Sequence, residues 1–185
     1  TIIQIARYIS AIANDGYLKY GMTYSTGLND KGFAASVSAS KISGDGYVDG
    51  TEFDGANYFV NLSWQIDAQH KIALTSFGAP QRHGQRQNKS LISTYRKAES
   101  GNKFNPDWGM RGGKTVHIED NFYHKSQTSL NWYFNINEKS NLSTAIYYSN
   151  GSGGGGGTGG DSELFKTRLG GFDQPVDIDN IVVVV

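Results

Sequence analysis

Along most of the chain, apolar and polar residues alternate with a period of two, the pattern of a β-strand with one apolar face. Between 56 and 66, Tyr58, Val60, Leu62, Trp64 and Ile66 share one side, while Phe59, Asn61, Ser63 and Gln65 share the other. Segment 127–136 sets Leu130, Trp132, Phe134 and Ile136 against Gln127, Ser129, Asn131 and Asn135. Segment 141–149 sets Leu142, Ile146 and Tyr148 against Asn141, Ser143 and Ser149. The alternation also runs through 17–28 and 33–41, where Ala34, Ser36, Ser38 and Ser40 make a row of small residues. Segments 71–79 and 1–13 bring the total to about seven strands, and no stretch predicts a helix.

The connections differ in length. Asn14 to Gly16 forms a tight turn, and 29–32, 67–70 and 137–140 form four-residue turns rich in turn formers. The remaining connections, 44–55, 80–125 and 150–180, are long. A structureless loop the length of 80–125 is unusual inside a compact domain. Short turns on one side and long loops on the other are characteristic of outer-membrane barrels.

Composition sharpens that picture. The chain has 185 residues with 17 basic and 17 acidic side chains, so it lacks the basic excess of a dedicated nucleic-acid binder. With no cysteine, disulfide scaffolds, thiolate zinc sites and thiol catalysis are excluded. Aromatic residues make up 12% and charged residues only 18%, and strands 56–66, 127–136 and 141–149 carry no charge. Uncharged alternating strands of this length match tilted strands crossing a bilayer, with Tyr58 and Trp64 placed as interfacial aromatics. The chain opens on Thr1 with no leader pattern, which reads as a processed chain or an internal piece.

An ordered set of motifs resembles the TonB-dependent receptors of the Bacteroidetes type. They are Gly44-Asp-Gly-Tyr-Val-Asp-Gly-Thr51, Tyr58–Ser63, Phe77–Gln81 with Gln85-Arg86, and Phe104-Asn-Pro-Asp-Trp-Gly109. Asn121–Lys125, Leu130-Asn-Trp132 and the glycine run 151–160 follow in order. The resemblance implies an all-β fold in which 1–185 is a partial barrel domain. It would be an antiparallel meander of about seven transmembrane strands from a wall of about 22 strands, with the plug domain absent. It further implies uptake of a scarce ligand (a ferric chelate, a vitamin or an oligosaccharide) at the bacterial outer membrane. The implied partners are outer-membrane lipid and lipopolysaccharide, the TonB complex through an absent upstream segment, and a surface lipoprotein. The row Ala34–Ser40 would then face a closely packed plug.

Loop 80–125 holds nine basic residues: Arg82, Arg86, Lys89, Arg96, Lys97, Lys103, Arg111, Lys114 and Lys125. Only Glu99, Asp107, Glu119 and Asp120 oppose them. Such an excess attracts an anionic ligand, including an acidic glycan, and Trp108, Phe122 and Tyr123 offer stacking surfaces. The ligand-binding candidates are therefore Arg82, His83, Arg86, Trp108, Arg111, Tyr123 and His124; the plainer alternative is that these charges solvate the loop or pair with 44–55. Asp45, Asp49, Glu52 and Asp54 are a weak calcium candidate without EF-hand spacing. The four histidines are scattered, and His70 reads as a solvated turn residue. No cofactor motif is present: the glycine run lacks the ending of a phosphate loop, and nothing resembles a nucleophile elbow, so no enzyme is expected. Two alternatives remain open at this level. One is a complete small outer-membrane barrel acting as an adhesin or structural protein. The other is a soluble glycan-binding β-sandwich.

Overall fold

A computed structural model describes residues 4–157 and 166–182. Strands β1 (Ile5–Ile12), β2 (Leu18–Ser25), β3 (Phe33–Gly44), β4 (Phe53–Gln65) and β5 (His70–Gly78) form an antiparallel meander. A short strand, β6 (Gln81–Gly84), then leads into an excursion with helix α1 (Ile92–Lys97), a 3-10 turn (Gly101–Lys103), and strands β7 (Trp108–Arg111) and β8 (Lys114–His117). The chain rejoins the sheet in β9 (Asp120–Asn137) and β10 (Ser140–Gly155), and ends in β11 (Val176–Asp177) and α2 (Ile178–Val182).

The short turns are held by side-chain acceptors. Asn29 Oδ1 receives the N–H groups of Lys31 and Phe33, both at 2.9 Å, and Asn137 Oδ1 receives that of Lys139. Asp67 Oδ1 receives those of Gln69 and His70 at 2.8 and 2.7 Å. These two backbone donors hold the Asp67 carboxyl below the usual carboxylate range.

The large sheet has the order β1-β2-β3-β4-β5-β9-β10, with β6 bridging β4 and β9. A separate small sheet has the order β11-β7-β8. The large sheet ends at β1 on one side and β10 on the other, and every residue of both strands is exposed. Among the described residues the sheet is therefore open and does not form a barrel, large or small. A sheet crossing lipid must close, because an unpaired edge leaves a row of backbone polar groups with no partner in hydrocarbon.

Two separate sheets, neither closed nor curled into a wall, overturn the TonB-dependent receptor reading. The outer-membrane localisation, the transporter function and the lipid, lipopolysaccharide, lipoprotein and TonB partners fall with it, as does the complete small barrel. Among the described residues no helix is long and apolar enough to cross a membrane. The small row on β3 has a different role from facing a plug. Ser36 and Ser38 hydrogen-bond Ser25 and Thr23 of β2 at 2.8 and 2.9 Å, and Ser40 accepts from Asn57 of β4.

Two further expectations change. Loop 80–125 is structured, with five elements of its own and the start of β9. His70 is not simply solvated: its ring stacks on Phe134 with centroids 4.3 Å apart, and Trp132 Nε1 donates to its Nδ1 at 3.2 Å. The glycine run forms the end of β10 as far as Gly155, and its last residues lie outside the described ones. The Val182–Val185 run likewise lies outside them beyond its first residue, which closes α2.

The sheet does not cover a core. Among the described residues, the buried apolar side chains are Ala73, Ala98, Phe104 and Val176, and the last three lie in the body built by the long loops.

Candidate functional site

The loop body is organised by Phe104-Asn105-Pro106-Asp107, which crosses its centre. Phe104 is buried beneath Tyr95 of α1 in an edge-on ring contact. Asn105 is fully buried and its amide donates to the carbonyls of Asp49 and Gln85 at 2.8 and 3.2 Å, while its Oδ1 receives the Asp107 N–H. Asp107 is 3% exposed. One of its oxygens receives the N–H groups of Gln87 and Asn88 at 2.7 and 2.8 Å, and the other receives the Asn88 amide. Its carbonyl receives the N–H groups of Ile118 and Glu119. The Asn105 and Asp107 side chains and the Asp107 carbonyl thus tie together Asp49, 85–88 and 118–119, each bond satisfying a group that burial would otherwise leave unpaired.

Gly50 lets Trp108 join this body. Gly50 has φ +63°, and a Cβ there would overlap the Cβ and Cγ of Trp108. Its carbonyl accepts from His117 Nδ1–H at 3.0 Å. A side chain at this position would be strained and would also displace the indole.

Beside the hub lies a cavity of about 750 Å³. One wall is Asn88, Lys89, Ser90, Leu91 and the α1 residues Ser93, Thr94 and Lys97; Pro106 and Asp107 form the floor. The opposite wall is Lys166, Arg168 and Gly171 to Asp173. Lys89 and Lys97 are exposed, and among the described residues neither is ion-paired with a carboxylate. Arg168 is half-buried; its guanidinium donates to the carbonyls of Gln174 and Pro106 at 3.0 and 3.3 Å. Burial lowers its pKa, and the nearby Asp107 charge opposes that shift. Phe172 is 69% exposed at the rim. Hydroxyls, amides, the basic groups of Lys89, Lys97, Lys166 and Arg168, the carboxylates of Asp107 and Asp173, and one open aromatic ring therefore line one concave surface.

None of the seven ligand candidates lines this cavity. Arg82 forms a forked ion pair with Asp120, its closer nitrogen–oxygen distance being 2.6 Å, and lies over the Phe122 ring. That pairing holds the Asp120 carboxyl below its usual range, against the opposing effect of burial, and raises the Arg82 pKa. His83 is half-buried on β6 beside Arg82. Arg86 donates to the carbonyls of Asn102 and Phe104 and lies over Tyr95, so it clamps the loop. Trp108 packs on Gly50, and its buried indole N–H has no acceptor among the described residues. His124 Nε2 meets the Tyr58 hydroxyl at 3.1 Å. Tyr123 sits under Lys125, and Arg111 is exposed at the β7–β8 turn.

The four acidic candidates for calcium disperse. Asp54 pairs with Lys41, Asp49 accepts from the Ser100 hydroxyl, and Glu52 lies 3.5 Å from His117 Nε2. The Asp45 side chain lies against Gly16. Among the described residues no group of three or more His, Asp or Glu converges as a metal site.

The basic excess in loop 80–125 includes Lys89 and Lys97, which line this cavity, but it does not separate them from Arg82 and Arg86, whose charges are used internally. Arg168 and Phe172 carry no sequence signal, because they reach the cavity from a segment some 60 residues from the floor they face. No family model, curated protein or solved structure matches this chain.

Proposed function

We propose that the chain is a glycan-binding β-sheet module that takes an acidic oligosaccharide in the cavity beside Asp107. A single observation carries this. Lys89 and Lys97 reach the same concave surface as Ser90, Ser93, Thr94 and the open face of Phe172. Cations suit a uronate carboxylate or a sulfate, hydroxyl and amide groups suit sugar hydroxyls, and an exposed ring suits the apolar face of a pyranose. A cavity of this volume is within the range of small-ligand sites. The exposed aromatic residues of the large sheet suit a sugar less well. Phe33 and Trp64 stack face to face at 5.2 Å, as do Trp132 and Phe134 at 5.7 Å, so one face of each of these rings is already taken by its neighbour.

Titration calorimetry with a uronate oligosaccharide, a sulfated oligosaccharide and a neutral oligosaccharide of equal length tests the proposal. An acidic probe binds, and the double substitution Lys89→Ala with Lys97→Ala weakens it at least tenfold without changing the unfolding midpoint. Equal affinity for the neutral probe, or no binding of any of the three, overturns it.

A further inference from the structure

We propose that the apolar face of the large sheet packs against the same face of a second copy of this chain. The inference is independent of the glycan cavity, which lies in the loop body.

Sheet register puts Tyr20, Met22, Leu62, Leu74, Leu130 and Ile146 on one face, and each of them is more than a third exposed. Water contact on this scale is abnormal. The chain exposes 12473 Å², against about 8,800 Å² for a compact folded chain of its 20.2 kDa mass. An uncovered apolar patch much above a few hundred Å² marks a contact surface.

Size and charge both favour a second copy as the occupant. Seven strands about 4.8 Å apart, each with about eight residues on the flat part of the sheet, give a footprint of roughly 30 by 27 Å. That is about 800 Å² per copy, the contribution of each partner in a stable complex. The charged groups on this face are Lys41 with Asp54 and Arg82 with Asp120, paired with each other at the loop end. A different partner chosen by charge would find nothing to read, whereas a two-fold pairing needs only that the surface fit itself. Two such sheets pack face to face about 10 Å apart, with the aromatic and aliphatic rows interdigitated.

Sedimentation equilibrium of the full chain without detergent tests this. The expected mass is twice 20.2 kDa at micromolar concentration. Leu74 faces Leu62 across β4 and β5 at the centre of the face. Chains carrying Leu74→Glu or Leu74→Lys are each expected to sediment as single chains, and an equimolar mixture to recover the dimer. If neither variant folds, the wild-type chain decides by itself. Its tryptophan emission shifts to the red on dilution, in step with the fall in mass, as Trp64 and Trp132 become wet. A single-chain mass at high micromolar concentration overturns the proposal. So does a chain that stays dispersed only as one copy in a detergent micelle, or a dimer that both substitutions leave intact.

Discussion

Asn88 is bound twice by Asp107: its backbone N–H donates to one carboxylate oxygen at 2.8 Å and its side-chain amide to the other at 2.7 Å. The Gln87 N–H shares the first oxygen, so three donors converge on one buried carboxylate. Asp107→Ala removes the acceptor and leaves those donors to find water or remain unpaired, with an expected cost of about 3 kcal/mol. Asp107→Asn keeps the shape and one acceptor, and is expected to lose less. Urea midpoints of the two variants, with unchanged slope, provide the check.

Gly50 is the second sensitive position. Gly50→Ala combines a left-handed backbone conformation with overlap onto Trp108. The expected loss is about 2 kcal/mol or more. Near-ultraviolet circular dichroism and Trp108 emission should change with it, whereas Gly112→Ala, at a position with the same backbone sign but open space, should perturb stability less.

The Arg82–Asp120 pair sets an acid dependence. Pairing lowers the folded-state pKa of Asp120, so its contribution is complete above the unfolded value of about 3.9 and disappears as pH falls through the lowered folded value. The Arg82 side chain is 65% exposed, so solvent screening keeps the pair's contribution small. Asp120→Asn should flatten the stability profile below about pH 4 relative to wild type and shift the neutral-pH midpoint only slightly. Thermal unfolding between pH 2 and 7 measures both.

Arg168→Lys tests the cavity wall. The planar guanidinium reaches the Gln174 and Pro106 carbonyls together, and a lysine reaches one at a time. Stability should fall by about 1 kcal/mol for the lost bond, and affinity for the acidic probe should fall with it. A change in affinity alone, with no change in the unfolding midpoint, would count against a wall-supporting role.

Strand positions were legible because a strand is a local object. Tyr58 to Trp64 and Leu130 to Phe134 alternate strictly, and a period of two survives whatever lies on either face. Asn29, Asp67 and Asn137 were legible as turn residues for the same reason, since each bonds a backbone group two residues away. Sheet closure was not legible. An uncharged apolar row such as Leu62, Leu74 and Leu130 reads identically whether it faces lipid, a core or a second chain, and only the unpaired edges of β1 and β10 distinguish a barrel from an open sheet. The candidate cavity was legible only in part. Lys89 and Lys97 belong to a basic loop that any count reveals, but which cations stay unpaired depends on where Asp120 and the Asn102 and Phe104 carbonyls come to lie. Arg168 and Phe172 face Lys89 and Lys97 only because a buried Asn-Pro-Asp segment draws distant stretches together, and that meeting is a property of tertiary packing, on which the local pattern is silent.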